Sequence, residues 1–349
     1  YHLIGDSIGN IRTGALRQFR DRLTGYSFVS GTSSGKTLQL TVDSALNAAA
    51  YNALAGRNGA VLLINYKTGE ILCMVSTPAD DPANPSASPA EGTYINKCLS
   101  ASFVPGSVFK LVTLAAAIEN IPDLFERTFW CEGQSVVGGA ELNCTGSHGS
   151  QTIEQALANS CNCAFGAIAV ELGADTLAEY AGKLGFTTEL SLDGITVPAG
   201  KFDRAEEGSI GLAWSGIGQY NDMVVPYALA RYVAAIANGG SAAEPTLLAD
   251  GRARETRLLS ADTAARIAEM MNYNVQTAYG GQWTFPNLNV SAKTGTAEVG
   301  DGSSHAWMTG FLNDPEHPYA FVVLVENAGG GLTNAGPVAN AVLQKAVFG

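Results

Sequence analysis

The sequence predicts an α+β fold in which a five-stranded antiparallel sheet is covered by helices and joined to a mostly helical lobe. Two extended runs near the start, at 59–66 and 71–77, flank the turn Lys67-Thr68-Gly69-Glu70, which is typical of a hairpin. Three more extended runs with short connections indicate a meander, at 289–298, 306–312 and 320–326. Because helical patterns fill the interval, both groups of strands are expected to form one sheet, with a site between the lobes.

Composition limits the class of protein. The chain has 349 residues, of which 46% are apolar and 15% charged, which is typical of a globular protein with a sizeable core. The net charge is −12 and there is no basic block, so nucleic acid is not an expected partner. No run of about 18 apolar residues is present, so no membrane span is predicted. Six cysteines suit an oxidising compartment without requiring one.

The first half of the predicted sheet follows an entry segment. Residues 1–36 are rich in Gly and Ser, with one short helical piece near 14–23, and are interpreted as an entry segment or the remnant of a preceding domain. The domain proper is expected over 37–349, beginning with a short strand at 38–42. Asp43 or Ser44 then caps a helix that Gly56 ends, before the hairpin.

The remaining elements divide the domain into two lobes. The sheet lobe is expected over 37–80 and 285–349, and the helical lobe over about 95–280. The interval 121–259 is expected to be mostly helical. The predicted helices lie near 152–172, 175–184, 226–238 and 260–272, with a last one at about 336–347. The first and last helices are expected to cover one face of the sheet.

Ser107 and Lys110 form the first candidate for chemistry. Pro105-Gly106 interrupts the chain, and an apolar pattern at three- and four-residue steps then predicts a helix that ends near Asn120. Ser107 is expected in its first turn, with Lys110 one turn further on the same face. An amine there can take the serine proton if burial or a nearby cation lowers its pKa. Alternatively, Ser107 only caps the helix and Lys110 is solvated, but the apolar neighbours of Lys110 argue against this.

Ser160-Cys161-Asn162 is the second candidate. It lies in an expected turn between two helices, which would present Ser160 and Asn162 to the same side. A hydroxyl there can relay a proton, and a side-chain amide can bind a carbonyl. On its own, the motif is better explained as two residues that cap helix ends.

Lys293-Thr294-Gly295-Thr296 is the third candidate, in the first strand of the meander. Lys293 could be a surface residue of an edge strand. Gly295, however, weakens a strand and usually marks close approach of another backbone or a ligand. Lys293 could supply positive charge beside a nucleophile, and Thr294 and Thr296 could bind a carboxylate.

Together and in this order, the three motifs resemble those of the serine acyl-transferases that react with penicillin, the penicillin-binding proteins and serine β-lactamases. The resemblance runs from about residue 5 to the end and is strongest to the class B, high-molecular-mass penicillin-binding proteins. Further stretches support it: Leu40-Thr41-Val42-Asp43, Asn65-Tyr66-Lys67-Thr68-Gly69-Glu70-Ile71, Ser76-Thr77-Pro78, Gly216-Ile217-Gly218-Gln219, Ala237-Asn238-Gly239-Gly240 and His305-Ala306-Trp307.

The resemblance implies a transpeptidase domain and assigns roles by motif. Ser107 would be the acylated nucleophile and Lys110 its general base. Ser160 would relay the proton and Asn162 would hold the substrate amide. The oxyanion hole would be formed by the backbone N–H groups of Ser107 and Thr296.

The third motif is implied to recognise the substrate. Lys293 would tune the site electrostatically and, with Thr294 and Thr296, recognise a terminal carboxylate, and Gly295 belongs to the same substrate-binding stretch. No cofactor or metal is implied.

The same resemblance implies the reaction and its setting. A stem peptide of peptidoglycan would acylate Ser107 with release of D-alanine, and an amine of a neighbouring stem would accept the acyl group. β-Lactam antibiotics would acylate Ser107 and remain. The implied location is extracytoplasmic, with a membrane anchor in an N-terminal segment absent from this chain, and a glycan polymerase is an implied partner.

Other activities of the same chemistry remain open. A serine β-lactamase would need a residue that activates water, and Glu189, Glu206 and Glu207 lie in the relevant interval without the Glu-x-x-x-Asn pattern of class A enzymes. A β-lactam sensor would bind without turnover, and a D,D-carboxypeptidase would use water as the acceptor.

Cysteines and histidines complete the candidates. Cys131 and Cys144 bracket a Gly-rich loop, where a disulfide and a reduced pair are both plausible. Cys161 and Cys163 are interpreted as packing residues. His148 and His305 have no partner at metal-ligand spacing in the sequence, so no zinc site is expected. Trp214 and Trp307 could line a groove, but core packing is the default interpretation.

Overall fold

The computed structural model describes residues 1–349 except Ser7, Arg252, Ala253 and Asp301. The longer helices are α1 Ser44–Leu54, α2 Lys110–Asn120, α3 Ile153–Ala158, α4 Asn162–Lys183, α5 Ile210–Gly216, α6 Pro226–Ala237, α7 Ala261–Thr277 and α8 Gly331–Phe348. Shorter helical pieces lie at Ala15–Gln18, Arg20–Thr24 and Lys97–Ser100, and 3-10 turns at Gly106–Val108 and Gly281–Trp283.

The predicted five-stranded antiparallel sheet is confirmed. Its strands are β1 Gly59–Asn65, β2 Ile71–Thr77, β3 Val290–Glu298, β4 Ser304–Leu312 and β5 Tyr319–Val325. Their order across the sheet is β3-β4-β5-β1-β2, so the meander pairs with the hairpin through β5 and β1. All neighbours are antiparallel, and β3 is an edge strand because it lies at one end of this order.

The sheet separates two hydrophobic cores, because successive side chains of a strand point to opposite faces. On β1, Val61 and Leu63 pack in the core that includes residues of α1 and α8. Leu62 and Ile64 belong to the larger core shared with the helical lobe. The expectation that the first and last helices of the domain cover one face of the sheet is therefore confirmed.

The helical lobe contains more strand than expected. Phe129–Cys131 pairs with Gly149–Gln151, and between them Gln134–Val137 pairs with Ala140–Asn143. We call residues 129–151 the hairpin segment. Two more small hairpins join Leu190–Leu192 to Ile195–Val197 and Ser241–Ala243 to Glu255–Arg257. The prediction of a mostly helical interval 121–259 is wrong at these places, because strands of three or four residues are too short to show a clear alternation.

Several element boundaries also differ from those predicted. The turn expected at Ser160 within the helical interval 152–172 is present, at 159–161, but α4 runs on to Lys183 with only a kink at Gly173, whose φ is +80°, where two separate helices were expected. The strand expected at 38–42 is reduced to one bridge between Leu40 and Leu248. The last helix begins at Gly331 rather than near 336, since Pro337 lies inside it instead of in its first turn.

The entry segment packs on the rest of the chain. It contains two short helices rather than one, and a two-residue hairpin, Tyr26–Ser27 with Thr32–Ser33. Leu3 lies in the larger core, and the Gln18 side-chain amide donates to the carbonyl of Asp193 at 3.2 Å. Whether residues 1–36 belong to a preceding domain stays a prediction. Within the described part of the chain, no helix has the length and hydropathy needed to span a membrane.

Candidate active site

Ser107 lies in the 3-10 turn Gly106–Val108, directly before α2, and not in an α-helical first turn as predicted. Gly106 makes this turn possible. Its φ is +55°, its N–H donates to the carbonyl of Gly218 at 2.8 Å, and a Cβ on it would lie 2.6 Å from the carbonyl oxygen of Thr296. Only glycine allows that conformation and that contact, so the serine turn is held against β3.

Lys110 is the first residue of α2 and is fully buried. Its Nζ donates to the carbonyl of Ser160 at 2.5 Å, to the Ser160 hydroxyl at 3.2 Å and to Oδ1 of Asn162 at 2.7 Å. Burial, with a smaller contribution from the charge of Lys293, holds the pKa of Lys110 well below its usual value. The two conditions for a proton-accepting amine, burial and a nearby cation, are therefore present.

Ser160 lies in the turn between α3 and α4 in a left-handed conformation, with φ of +52°. The turn is fixed on both sides: Thr152 and Gln155 form a capping box at the start of α3, and Asn162 begins α4. The Asn162 side chain accepts from Lys110 through Oδ1 and donates from Nδ2 to the carbonyl of Asn143 at 2.9 Å. The second amide hydrogen of Asn162 remains available for a ligand.

Lys293 reaches the same hydroxyl from the sheet. It is fully buried on β3, and its Nζ donates to the Ser160 hydroxyl at 3.0 Å and to the carbonyl of Thr294 at 2.9 Å. Burial lowers the pKa of Lys293 to about 7. Lys110 and Lys293 thus meet at one hydroxyl oxygen, although 183 positions separate them in sequence (293 − 110).

The rest of the third motif lies along β3 beside the turn that carries Ser107. The Thr294 N–H and hydroxyl both donate to the Tyr279 hydroxyl, at 3.3 and 3.2 Å. A Cβ on Gly295 would lie 3.0 Å from the carbonyl oxygen of Pro105, so the close backbone approach predicted from this glycine is confirmed. The Thr296 hydroxyl accepts from the N–H of Gly331 at 3.4 Å.

A cavity of about 830 Å³ opens over these groups. Five of the predicted site residues line it: Ser107, Ser160, Asn162, Thr294 and Thr296. Lys110 and Lys293 lie behind its wall, where no solvent reaches them. All three predicted motifs are therefore brought to one place.

Sequence reasoning missed part of the cavity wall. The residues concerned include Glu141, Gln219, Tyr220, Glu298, Gly330, Gly331, Leu332 and Thr333. Gly330 is the N-cap of α8 and the other three residues of that run begin the helix, whose later expected start hid their role. The Gly-rich run before Leu332 was the signal that could have located this loop. Tyr279, which supports Thr294, had no distinguishing pattern.

The two tryptophans differ. Trp307 is fully buried, and its Nε1–H donates to the carbonyl of Val104 at 3.0 Å, so core packing is confirmed. Trp214 is 39% exposed and lines the cavity, so its default interpretation as a core residue is wrong. An α5 of only seven residues leaves this side chain at the edge of the lobe.

The cysteines near the second motif also differ from expectation. Cys131 and Cys144 are both unbridged. His148 was expected to lack partners for a metal site because none lies at metal-ligand spacing in the sequence. In the folded chain, however, the hairpin segment brings His148 beside Cys131, Cys144 and Cys161. Short spacing in sequence is only one way to assemble such donors.

The glutamates considered for water activation lie elsewhere. Glu189, Glu206 and Glu207 are absent from the cavity wall, and Glu207 accepts from the N–H of Ala174 at 2.9 Å, at the kink of α4. The carboxylates that do line the cavity are the exposed Glu141 and Glu298.

The arrangement suits acyl transfer. A serine hydroxyl lies at a tight turn in the cavity wall, and two buried amines with lowered pKa values converge on a second hydroxyl beside it. One amine can accept the serine proton, while the other stays protonated and places a positive charge near a developing oxyanion or a substrate carboxylate.

Comparison with known families agrees with this chemistry. Residues 59–344 match the family described as the penicillin binding protein transpeptidase domain. Those residues include all three motifs and the whole five-stranded sheet.

Curated relatives cover most of the chain. The peptidoglycan D,D-transpeptidase PbpA of Mycobacterium tuberculosis is 27% identical over 95% of this chain and 77% of its own length. Stage V sporulation protein D of Bacillus subtilis is 29% identical over 80% of this chain and 47% of its own length.

Solved structures share the fold. The D,D-transpeptidase domain of a peptidoglycan glycosyltransferase from Eggerthella lenta is similar with a TM-score of 0.84 and 28% identity, covering 96% of this chain and 87% of that one. The imipenem acyl-enzyme complex of penicillin-binding protein A from M. tuberculosis is similar with a TM-score of 0.85 and 25% identity, covering 97% and 88%.

Proposed function

Since the chain belongs to the penicillin-binding protein transpeptidase family, of the class B type, we propose that it is a peptidoglycan D,D-transpeptidase with Ser107 as its acylated nucleophile. The observation that carries the residue assignment is the convergence of Lys110 and Lys293 on the Ser160 hydroxyl, in the wall of the cavity that Ser107 also lines. No step in this reaction calls for a cofactor.

These positions support the following acylation step. Ser107 Oγ attacks the carbonyl carbon of the D-alanyl-D-alanine bond of a stem peptide, and Lys110 takes the hydroxyl proton. The C–N bond breaks, the leaving D-alanine amine receives a proton by way of Ser160, and an ester on Ser107 remains. An amine from a neighbouring stem then attacks that ester, forms the cross-link and returns the hydroxyl to Ser107.

Substrate recognition is assigned to the other groups around the cavity. Lys293, Thr294 and Thr296, with Gly295 in the same stretch, are assigned to a terminal carboxylate. The two threonines line the cavity, and the Lys293 ammonium lies directly behind its wall. Asn162, which lines the cavity, is assigned to a substrate carbonyl through its second amide hydrogen. The backbone N–H groups of Ser107 and Thr296 are the proposed oxyanion hole.

β-Lactams react by the same attack. The ring amide C–N bond opens, but the leaving nitrogen stays tethered, so it occupies the place of the incoming amine. A long-lived acyl-enzyme is expected, because the tethered nitrogen blocks the approach of an acceptor. The three glutamates considered for water activation lie away from the cavity, which leaves Glu141 and Glu298 in its wall to be tested. We also propose that the reaction takes place outside the cytoplasm. In this proposal the protein is anchored to the membrane by a segment outside this sequence, and a glycan polymerase is its partner.

Intact-mass spectrometry with benzylpenicillin tests the proposal. Wild-type protein and the control Ser100→Ala, an exposed serine on the short helix before the site, should gain one penicillin mass that persists for hours. Ser107→Ala should gain none. A covalent adduct on Ser107→Ala would overturn the assignment of the nucleophile.

The same samples separate the alternatives. Penicillin consumed without a lasting adduct would indicate a β-lactamase, and Glu141→Gln and Glu298→Gln would then locate the water-activating residue. If the acyl-enzyme persists, a depsipeptide or thioester substrate with an amine acceptor decides between activities. A transpeptidase gives the aminolysis product, a carboxypeptidase only the hydrolysis product, and a sensor neither.

A further inference from the structure

Four metal-binding side chains lie together next to the second motif. Cys131, Cys144, His148 and Cys161 place one ligand atom each so that all four lie within 4.8 Å of one another. The Cys144 Sγ is 3.8 Å from the Cys161 Sγ and 3.7 Å from the His148 Nδ1. Cys131 and Cys161 are buried, and the other two are partly exposed.

We propose that these four residues bind one structural Zn²⁺ ion. Three thiolates and an imidazole are a donor set typical of structural zinc. In a tetrahedral site with Zn–S bonds of about 2.3 Å and a Zn–N bond of about 2.0 Å, the edges between sulfurs are about 3.8 Å and those between sulfur and nitrogen about 3.5 Å. The two separations measured here are close to those edges.

The backbone holds the donors in place from two directions. Strand pairing sets Cys131 opposite Gly149, and the N–H of His148 donates to the Cys131 carbonyl at 3.0 Å. The Cys144 N–H donates to the carbonyl of Gly133 at 2.8 Å, which closes the second loop. Cys161 comes from outside the hairpin segment, at the start of α4.

Backbone N–H groups also point at two of the sulfurs. The N–H of Asn162 donates to the Cys144 Sγ at 3.1 Å, and that of Ala164 to the Cys161 Sγ at 3.5 Å. Such bonds stabilise a thiolate and orient it, as the groups around metal ligands commonly do. The spacing is Cys-x12-Cys-x3-His-x12-Cys, and its long intervals are why the sequence did not reveal the site.

The ion would position the site without touching the substrate. Cys161 lies between Ser160 and Asn162. Asn162 makes two hydrogen bonds to the hairpin segment, from its backbone N–H to the Cys144 Sγ and from its Nδ2 to the Asn143 carbonyl. A bound ion would therefore tie the hairpin segment to the turn that meets Lys110 and Lys293. It is a positioning element of the proposed transpeptidase, but its binding does not depend on that activity.

The first test measures metal in the reduced 349-residue chain purified without chelator. Elemental analysis should find one zinc per chain, and a chelator should remove it and lower the melting temperature. Co²⁺ added to the stripped protein should give the intense visible bands of a tetrahedral thiolate site, and Zn²⁺ should abolish them. Failure of the stripped, reduced protein to take up either metal, or stoichiometric iron or copper in place of zinc, would overturn the proposal.

Variants locate the ligands. Cys131→Ser, Cys144→Ser and His148→Ala should each lose zinc, whereas Cys163→Ser, two residues from Cys161 but outside the four, should keep one ion per chain. Unchanged zinc in all three ligand variants would overturn the site. If a variant fails to fold, the Co²⁺ spectrum of wild type still decides. A Cys144–Cys161 disulfide in protein purified under non-reducing conditions, with no zinc, would also overturn it.

Acylation provides a separate readout. The stripped protein should react with benzylpenicillin at least about tenfold more slowly and recover when Zn²⁺ is returned, since a small displacement of positioned groups has effects of this size. Metal content is measured without any β-lactam, so failure of the zinc proposal and failure of the transpeptidase proposal give different results.

Discussion

The two regions that meet at the Ser160 hydroxyl are held by different means. Lys293 lies on β3, which pairs with β4 through nine consecutive residues, so regular backbone hydrogen bonds fix its position. Ser160 lies in a three-residue turn at φ of +52°, supported by the hairpin segment, whose strands have only three or four residues. One side of this site is therefore positioned by secondary structure and the other by side chains and, under our proposal, a metal ion.

The largest loss of acylation rate is expected when Lys110, which bonds to the Ser160 turn, is removed. Lys110→Ala removes the amine that bonds to the Ser160 turn, so acylation by benzylpenicillin should fall about a hundredfold to ten-thousandfold, the usual range for loss of a general base. Stopped-flow or quenched mass spectrometry measures the rate. Lys183→Ala, an exposed lysine paired with Glu119 at 3.0 Å, is the control. A change below about threefold in Lys110→Ala would show that another group accepts the proton.

The backbone conformation of Ser160 and its hydroxyl contribute to different properties, stability and acylation rate. Ser160→Ala and Ser160→Gly should both slow acylation about a hundredfold, because each removes the proton relay. Ser160→Gly should be more stable than Ser160→Ala by about 1 kcal/mol, since only glycine adopts a positive φ without a steric cost. Chemical denaturation compares the two. Equal stability would mean that the turn relaxes when the hydroxyl is lost, so the side chain and not the neighbours would set its conformation.

Lys293, on the sheet side of the site, should determine how the acylation rate depends on pH. Burial lowers the pKa of Lys293 to about 7, so the ammonium is present below that pH and is lost above it. Acylation by a β-lactam carboxylate should therefore decline as pH rises through about 7, by up to about tenfold per unit. Lys293→Arg should move this decline to higher pH, because a guanidinium stays charged. A profile unchanged in Lys293→Arg would assign the falling limb to another group.

The smallest change in acylation rate is expected for Tyr279, which lies behind β3. Tyr279→Phe removes the hydroxyl that accepts from the N–H and hydroxyl of Thr294. Stability should fall by about 1–2 kcal/mol, because a partly buried donor loses its acceptor. Acylation should change little, since pairing with β4 still holds the strand. Thermal unfolding and the acylation rate test this, with Tyr273→Phe on the exposed side of α7 as the control. A large loss of acylation would show that β3 depends on side chains as the turn does.

Sequence reasoning succeeded where structure is regular. The five strands and the burial of Lys110 were predictable, because hairpin turns, short connections and an apolar helix pattern are local signals. Gly295 predicted close approach correctly, since a glycine inside a strand weakens it and is usually kept where another backbone comes near.

It failed where structure depends on distant partners. The short strands of the hairpin segment, the early start of α8 and the cluster of Cys131, Cys144, His148 and Cys161 all arise from tertiary packing. Trp214 was misjudged for the same reason, since its exposure depends on where the cavity opens. The roles of the site residues stay predictions, whereas their convergence in space is observed.

The Ser160 oxygen has a consequence for the direction of proton movement. It accepts from Lys110 at 3.2 Å and from Lys293 at 3.0 Å, and a hydroxyl has two lone pairs and one hydrogen. When both amines are protonated, the lone pairs are occupied and the hydrogen must point away from them, towards the cavity. Loss of a proton from Lys110 leaves its Nζ with two N–H groups for three acceptors, so one of these hydrogen bonds must be lost or reversed, and the Ser160 hydroxyl can then donate to the amine. Lys293 has only two acceptors and can keep both when uncharged. The protonation state of Lys110 therefore decides whether the Ser160 O–H must point into the cavity or can turn towards the lysine.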